Sequence, residues 1–108
     1  MNSSEELVLL AVESLGEEAY GVSIRRHLTG RTGRPLSLGA IYGSLDRLVR
    51  QGLIEARMGE PTPVRGGRRK RYFRITSRGS VSLREVRRRE ERVWGGRHGL
   101  RRAKAGSR

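Results

Sequence analysis

Apolar residues in the first half of the chain recur at helical spacing and predict three helices in succession. The first, through LVLLAVESL, follows Ser3 and Glu6, which have the spacing of a capping box. The second runs through AYGVSIRRHLTG, with a narrow apolar stripe and Gly30 as its expected end. The third begins after Ser37, a favourable N-cap, and reaches about Gln51.

After the third helix the pattern predicts two strands and a fourth helix. LIEARM is short and extended, GEPTPVRGG is rich in proline and glycine, and RRKRYFRIT has strand propensity from its aromatic and β-branched residues. Two strands joined by such a loop predict a β-hairpin. Thr76 or Ser77 can cap the last helix, which we expect to reach about Trp94. Residues 96–108 are basic and lack periodicity, and we predict that this tail is disordered.

The predicted order of helix, helix, helix, strand, strand, helix is that of a winged helix-turn-helix protein. The predicted fold class is therefore α+β, mostly α. Residues 1–76 would form the winged domain and residues 77–95 a C-terminal helix. In this arrangement the third helix enters the major groove of DNA.

The third helix has an apolar side and an outer side that is small near its N-terminus and cationic near its C-terminus. A recognition helix presents its N-terminal residues to base edges, and small side chains allow close approach to the groove. The alternative is that its two glycines allow another helix to pack closely, while Arg47 is solvated or pairs with Asp46 or a surface glutamate. The outer residues are Gly39, Ala40, Gly43, Ser44, Arg47 and Arg50, with Tyr42 at their edge.

The predicted hairpin loop, or wing, carries a cluster of cations that favours contact with phosphates. Gly66 and Gly67 allow the loop to lie close to a sugar-phosphate backbone, which would neutralise the mutual repulsion of these charges. A mobile basic loop without a partner is the alternative, and strand alternation places some of the cations on the opposite face. The cations are Arg65, Arg68, Arg69, Lys70 and Arg71.

The distribution of charge along the chain supports a polyanionic partner. The 108 residues carry a formal net charge of +13, yet residues 1–24 contain five glutamates and no lysine or arginine. All 24 basic residues lie in residues 25–108, against six acidic ones. This concentration favours nucleic acid over a membrane surface, with a merely soluble basic surface as the alternative. Only 34% of the residues are hydrophobic, so association would complete a thin core.

Several kinds of site lack candidate residues in this sequence. The absence of cysteine excludes disulfides and Cys-ligated zinc. His27 and His98 have no partners at metal-ligand spacing, and no catalytic triad, carboxylate cluster or phosphate-binding glycine loop is present. We therefore expect no enzyme activity, metal or cofactor. Without a bilayer-length apolar run or the basic region of a signal peptide, the chain is expected to be cytoplasmic and without a membrane partner.

The third helix and the wing resemble those of the PadR family of bacterial transcriptional regulators. The family pattern L-S-x-G-x-x-Y-x-x-L-x-R-L matches LSLGAIYGSLDRL, and the G-L-I that follows it in the family is also present. The family wing pattern G-R-x-R-x-Y-x-x-T is similar to GRRKRYFRIT. The resemblance covers roughly residues 4–80.

The resemblance implies a homodimeric repressor that binds an inverted-repeat operator in double-stranded DNA. Many family members respond to a small hydrophobic or aromatic effector. The resemblance also adds Tyr20 and Ser37 to the DNA-binding residues, and assigns dimerisation to the C-terminal helix with help from the first. Trp94 either stacks on a planar effector or is simply a dimer-core residue. The residues expected at the dimer interface are Leu7, Leu10, Leu83, Val86, Val93 and Trp94.

A second function class stays open on the sequence alone. A non-specific nucleic-acid-binding protein, RNA-associated or architectural, would share the basic charge. Such a protein would not need an inverted-repeat site, so competition with unrelated duplex separates the two hypotheses.

Overall fold

Helices and one two-stranded antiparallel sheet form the computed structural model, which describes residues 1–60 and 70–105, with side chains described through residue 91. The order of elements confirms the predicted winged helix-turn-helix fold, α+β and mostly α. The elements are α1 (Ser3–Leu15), a 3₁₀ helix (Gly16–Glu18), α2 (Gly21–Thr32), α3 (Leu38–Arg50), β1 (Ile54–Met58), β2 (Arg71–Ile75) and α4 (Ser77–Ala105).

Helix α1 is capped one residue earlier than its sequence predicts. The Asn2 side chain accepts a hydrogen bond from the Glu5 backbone N–H (2.8 Å), and the Glu5 carboxylate accepts one from the Asn2 N–H (3.2 Å). The predicted box of Ser3 and Glu6 is therefore wrong by one position. The physical reason is that Glu5 turns into the protein and is buried, whereas Glu6 pairs with Arg89 of α4 (2.7 Å).

A glycine with positive φ follows each of α1, α2 and α3, namely Gly16, Gly33 and Gly52. Gly52 (φ 75°) follows α3 as expected, and Ser37 caps the start of α3, its Oγ accepting a backbone N–H bond from the first turn (3.0 Å). Helix α2 continues through Gly30 to Thr32 and ends at Gly33, which has the left-handed φ of 73°. The predicted end at Gly30 is wrong because its backbone stays helical.

The core lies where the first three helices meet the hairpin. Leu9 of α1, Ile24 of α2, Leu45 of α3 and Phe73 of β2 are each no more than 1% exposed. Burial of a side chain of this size contributes about 1.5–3 kcal/mol. Because these side chains come from four elements, their packing fixes the orientation of α3 and leaves its opposite face outside the core.

The hairpin confirms the predicted pair of strands and is tied to the helical half of the chain. Ile54 pairs with Ile75, and the antiparallel register continues along both strands. The Phe73 backbone N–H donates a hydrogen bond to the Ala19 carbonyl oxygen (2.9 Å), at the connection between α1 and α2. Residues 61–69, which include most of the loop predicted over 59–67, lie outside the described residues.

Helix α4 is anchored at its first turn. Thr76, one of the two predicted caps, accepts a hydrogen bond from the Gly79 N–H (3.1 Å) and donates one to the Gly52 carbonyl oxygen (2.7 Å). Gly79 is buried, and a Cβ at this position would overlap the Leu53 carbonyl oxygen. The absence of a side chain therefore allows α4 to lie against the start of the hairpin.

The packing of α4 corrects two predicted dimer contacts. Leu83 and Val86 are 0% and 4% exposed within a single chain, because the first turns of α4 lie against α1. Leu83 is part of the main hydrophobic core. Neither residue therefore offers a free face to a second copy.

The backbone of α4 is longer than predicted. It reaches Ala105, whereas the sequence predicts an end near Trp94 and a disordered tail over residues 96–108. Because α4 continues past residue 95, the helix end does not separate a C-terminal helix at 77–95 from a tail. The division into three parts stays a prediction, and residues 106–108 lie outside the described residues.

Candidate nucleic-acid interface

The N-terminal half of α3 has a bare and accessible surface. Gly39 and Ala40 are exposed and Gly43 is half-buried. Among the described residues, a Cβ at Gly39 would have only the Ser37 hydroxyl within 4 Å, and one at Gly43 only Arg47 Nη1, at 3.5 Å. No other described helix packs on either glycine, so within this chain the helix-packing alternative has no support.

Ser44 does not belong to this surface, although the helical wheel placed it there. Its side chain is 1% exposed, and its hydroxyl accepts a hydrogen bond from Arg47 Nη2 (3.3 Å). The sequence contained a signal for this burial, since Ile41, Ser44, Leu45 and Leu48 have the i, i+3, i+4, i+7 spacing of a buried stripe. As a direct DNA contact Ser44 is therefore a wrong prediction.

Arg47 is held on one side and accessible on the other. Its Nε donates a hydrogen bond to Glu5 Oε2 at 2.6 Å, while its side chain stays 46% exposed. Glu5 is 4% exposed and also accepts a longer hydrogen bond from Gln51 Nε2 (3.5 Å). The alternative pairing of Arg47 with Asp46 is wrong, because the partner is this buried glutamate of α1.

The environment of Glu5 keeps its carboxyl group ionised. The hydrogen bond from Arg47 lowers the pKa of Glu5 below its ordinary value of 4.5, and the Asn2 and Gln51 donors lower it further. Burial acts in the opposite direction and raises the pKa, but it does not outweigh these donors. Glu5 is therefore a buried anion on α1 whose cationic partner, Arg47, lies on α3.

Aromatic rings contact the cations at the base of the wing, which comprises Arg57, Lys70, Tyr72 and the adjacent Tyr20. Tyr20 and Tyr72 meet edge to face, with ring centroids 5.4 Å apart, and form an isolated antiparallel bridge. Lys70 Nζ lies 4.4 Å from the Tyr20 ring centroid, and Arg57 Cζ lies 4.9 Å from that of Tyr72. Such cation–π contacts are worth about 0.5–1 kcal/mol at exposed sites. Tyr20 thus supports the wing base, a role that its sequence position alone did not reveal.

The side chain of Arg71 links the second strand to α3. Its guanidinium lies 5.0 Å from the Phe73 ring centroid and 3.6 Å from Asp46 Oδ1. Both members of this ion pair are about half exposed, so it adds less than about 1 kcal/mol of stability. It places one cation of β2 beside the C-terminal half of α3.

Tyr42 leans from α3 across the start of α2. Gly21 is buried, and a Cβ on it would overlap the Tyr42 hydroxyl. Tyr42 is nevertheless 38% exposed, so part of its ring lies on the α3 surface. The motif tyrosine therefore joins the two helices of the helix-turn-helix.

The remaining predicted DNA-binding residues divide into two groups. Arg50 is exposed on the last turn of α3, and the Ser37 side chain is exposed while serving as the helix cap. The predicted residues that lie outside the described part of the chain are Arg65, Gly67, Arg68 and Arg69.

The predicted dimer residues on α1 border a groove. Leu7 is 36% exposed and Leu10 is half-buried. Both line a cavity of about 460 Å³ between α1, α2 and α4, together with His27 and Arg87. The side chains of Val93 and Trp94, including the predicted effector contact of Trp94, lie outside those described.

The described part of the chain lacks the features of a metal site and of a membrane span. It contains no group of three His, Asp or Glu side chains placed to hold a metal ion. None of its helices combines the length and apolar character needed to cross a bilayer.

Comparison with known proteins places this geometry in a family. The model of the Transcriptional regulator PadR-like family matches residues 8–85, which include α3 and both strands. An uncharacterized protein of Lysinibacillus sphaericus is 34% identical over 74 residues, which cover 67% of this chain and 65% of that relative's length.

Several solved structures with this fold bear the family name. A PadR-like transcriptional regulator from Bacillus cereus is 25% identical, with a TM-score of 0.71 over 89% of this chain and 88% of its own. Bacillus subtilis PadR, solved in complex with operator DNA, is 20% identical, with a TM-score of 0.67 over 80% of this chain and 47% of its own. The family motifs at α3 and the wing thus coincide with a family match over most of the chain, and this chain belongs to the PadR-like family of transcriptional regulators.

Proposed function

We propose that this protein is a sequence-specific repressor that binds an inverted-repeat DNA operator as a homodimer. The observation that carries the proposal is the outer surface of α3, where, among the described residues, no other element packs on Gly39 or Gly43 and Arg47 lies alongside. A helix with a bare N-terminal half can approach the floor of the major groove closely. Bacillus subtilis PadR bound to operator DNA has the same fold, which supports this DNA role here.

The charges around α3 support the same partner. Lys70 and Arg57 lie at the wing base over tyrosine rings, which do not neutralise them. Arg50 is exposed on the last turn of α3. Accessible cations next to a recognition helix can contact the phosphates that border a groove.

The experiment that tests sequence specificity is a competition assay. Footprinting on the DNA upstream of the protein's own gene would define a bound segment. Labelled duplex of that segment is then competed with unlabelled copies of itself and with unrelated duplex of equal length, at fixed salt. We expect operator to compete at concentrations roughly 10³-fold lower than unrelated DNA.

The same assay, with structured RNA as a further competitor, tests the second function class. If unrelated duplex and structured RNA displace the probe as well as operator does, the protein is a non-specific nucleic-acid-binding protein. Binding would then depend on the net charge of +13, and the α3 surface would not recognise a DNA sequence.

The homodimer is proposed on the exposure of apolar residues along α1. Leu7 and Leu10 line the groove beside α4, and a second copy that covers it would remove this apolar surface from water. A particle of twice the 12.2 kDa chain mass by light scattering at micromolar concentration would support the dimer. A monomer at that concentration would contradict it.

An effector is the part of the proposal that rests on family resemblance. The chain has a single tryptophan, Trp94, so its fluorescence reports on that position alone. We expect a planar aromatic effector to quench this fluorescence and to weaken operator binding over the same concentration range. Unchanged Trp94 fluorescence would assign this residue to the dimer core instead.

A further inference from the structure

The contact between α1 and α3 contains an unusual polar side chain. Among the described residues, the buried polar side chains are Glu5, Ser23 and Ser44, and Glu5 is the charged one. Burial of a carboxylate is unfavourable unless hydrogen-bonded partners compensate it, and an apolar residue at the same position would avoid that cost. The presence of Glu5 therefore calls for a reason beyond stability.

The partners of Glu5 point towards the candidate DNA surface. Glu5 Oε2 accepts the Arg47 Nε–H bond, and Arg47 Nη2 donates to the buried Ser44 hydroxyl. The guanidinium is therefore held at two of its three nitrogens. The third, Nη1, lies 3.5 Å from the position that a Cβ of Gly43 would occupy, so the side chain is laid back along α3 towards its N-terminal half.

We propose that Glu5 is a positioning residue for DNA recognition, which fixes Arg47 over Gly43 before DNA is bound. This inference rests on the proposed function. An arginine on a bare helix has many rotamers, and fixing one before binding removes the cost of ordering it at the interface. The bare surface of Gly43 leaves room for that single conformer.

The negative charge of Glu5 adds a second effect on specificity. By neutralising Arg47, it weakens attraction to any phosphate backbone, which is the sequence-independent part of binding. Loss of the carboxylate would therefore weaken operator binding and leave binding to unrelated duplex unchanged or stronger. The measured quantity is the ratio of the two affinities.

The test compares Glu5→Gln with the matched control Glu13→Gln. Glu13 also lies on α1 and also pairs with an arginine, but that arginine is Arg87 of α4 (2.6 Å) and not a residue of α3. Both variants lose one negative charge from the same helix. Binding to the footprinted operator and to unrelated duplex is measured at one salt concentration for each.

We expect Glu5→Gln to lower the operator-to-unrelated affinity ratio about tenfold, and Glu13→Gln to change it by less than about twofold. The effect of Glu5→Gln should disappear in an Arg47→Ala background, because the two residues act as one unit. An equal effect in that background, or equal effects of the two glutamine variants, would overturn the inference.

If Glu5→Gln does not fold, a second variant, Arg47→Lys, tests the same inference. Arg47→Lys keeps the charge on an exposed side chain but removes the planar fork that Glu5 and Ser44 hold. It should lower the ratio about tenfold as well, and an unchanged ratio would overturn the inference. If the wild-type protein itself does not distinguish operator from unrelated duplex, the proposed function fails and the inference fails with it. If the wild-type protein is specific and the variants keep its affinity ratio, the inference alone fails.

Discussion

The contact between α1 and α3 and the base of the wing both hold cations, but they do so by different chemistry. Glu5 accepts a 2.6 Å hydrogen bond from Arg47 and cancels its charge. At the wing base, Lys70 lies over the Tyr20 ring at 4.4 Å, and its charge is not cancelled. A carboxylate fixes the direction of a guanidinium, whereas a ring face tolerates movement and preserves charge.

This difference separates two properties that DNA-binding proteins usually combine, namely discrimination between DNA sequences and overall affinity for DNA. A cation fixed in direction is suited to a base edge, which presents donors and acceptors at set positions. A cation that keeps its charge and some freedom is suited to phosphates, which repeat along any sequence. We therefore expect the discrimination and the raw affinity of this protein to respond to different substitutions.

The largest effect is expected from Arg47→Ala, measured as stability rather than DNA binding. The variant leaves the Glu5 carboxylate buried without its main partner, and should reduce the free energy of unfolding by about 2–3 kcal/mol. Urea unfolding at neutral pH measures this change. Lys70→Ala is the matched comparison and should cost less than about 1 kcal/mol. Equal costs for the two variants would remove the distinction between the two kinds of contact.

The pH dependence of stability should report the same carboxylate. Because the folded-state pKa of Glu5 lies below 4.5, Glu5 stabilises the fold above that pH, and this contribution is lost as pH falls through the lowered pKa. Among the described residues the groups facing it are Arg47, Gln51 and Asn2, of which Arg47 alone is charged. The stability difference between wild type and Glu5→Gln should therefore narrow between about pH 7 and about pH 3. A constant difference would contradict the lowered pKa.

Lys70→Ala should weaken DNA binding without changing specificity. Loss of one phosphate contact should reduce the slope of log affinity against log salt concentration by about 0.9, for operator and unrelated duplex alike. Titrations at several salt concentrations would measure both slopes. A change confined to operator would mean that the wing base contacts base edges and not only phosphates.

The smallest effect is expected from Gly43→Ala on stability. A Cβ at this position would make only an ordinary contact with Arg47 Nη1, so the gain in helix propensity should stabilise the protein by about 0.5–1 kcal/mol. Thermal unfolding would detect it as a higher Tm. Operator binding should fall at the same time, because the added methyl occupies the surface beneath the guanidinium. A more stable variant with unchanged binding would exclude a DNA-facing role for Gly43.

Local features of the fold were predictable because their causes are local. Ser37, Gly52 and Thr76 cap or end their elements through bonds to residues at most a few positions away, or through a backbone conformation that glycine favours. The order of elements followed from periodicity for the same reason. The family motif then located α3 and the hairpin on the chain.

The contacts between distant segments were not predictable in this way. Glu5 and Arg47 are 42 positions apart, and Tyr20 meets Tyr72 across 52 positions. For Ser44, the spacing with Ile41, Leu45 and Leu48 was a local signal of burial, whereas the packing of α1 against α3 could not be derived from the sequence of α3 alone. The burial of Leu83 is likewise a property of how α4 docks.

The hydrogen bond from Phe73 to Ala19 has a consequence for association. A two-stranded sheet ordinarily offers two open edges on which another chain can add a strand. Here the edge of β2 that faces away from β1 is partly occupied by the chain's own segment at Ala19 and Tyr20. The other strand, β1, carries the charged residues Glu55 and Arg57. Strand addition by a second copy is thereby disfavoured on both sides. The protein can thus present a basic hairpin to its surroundings with little tendency to form intermolecular sheets.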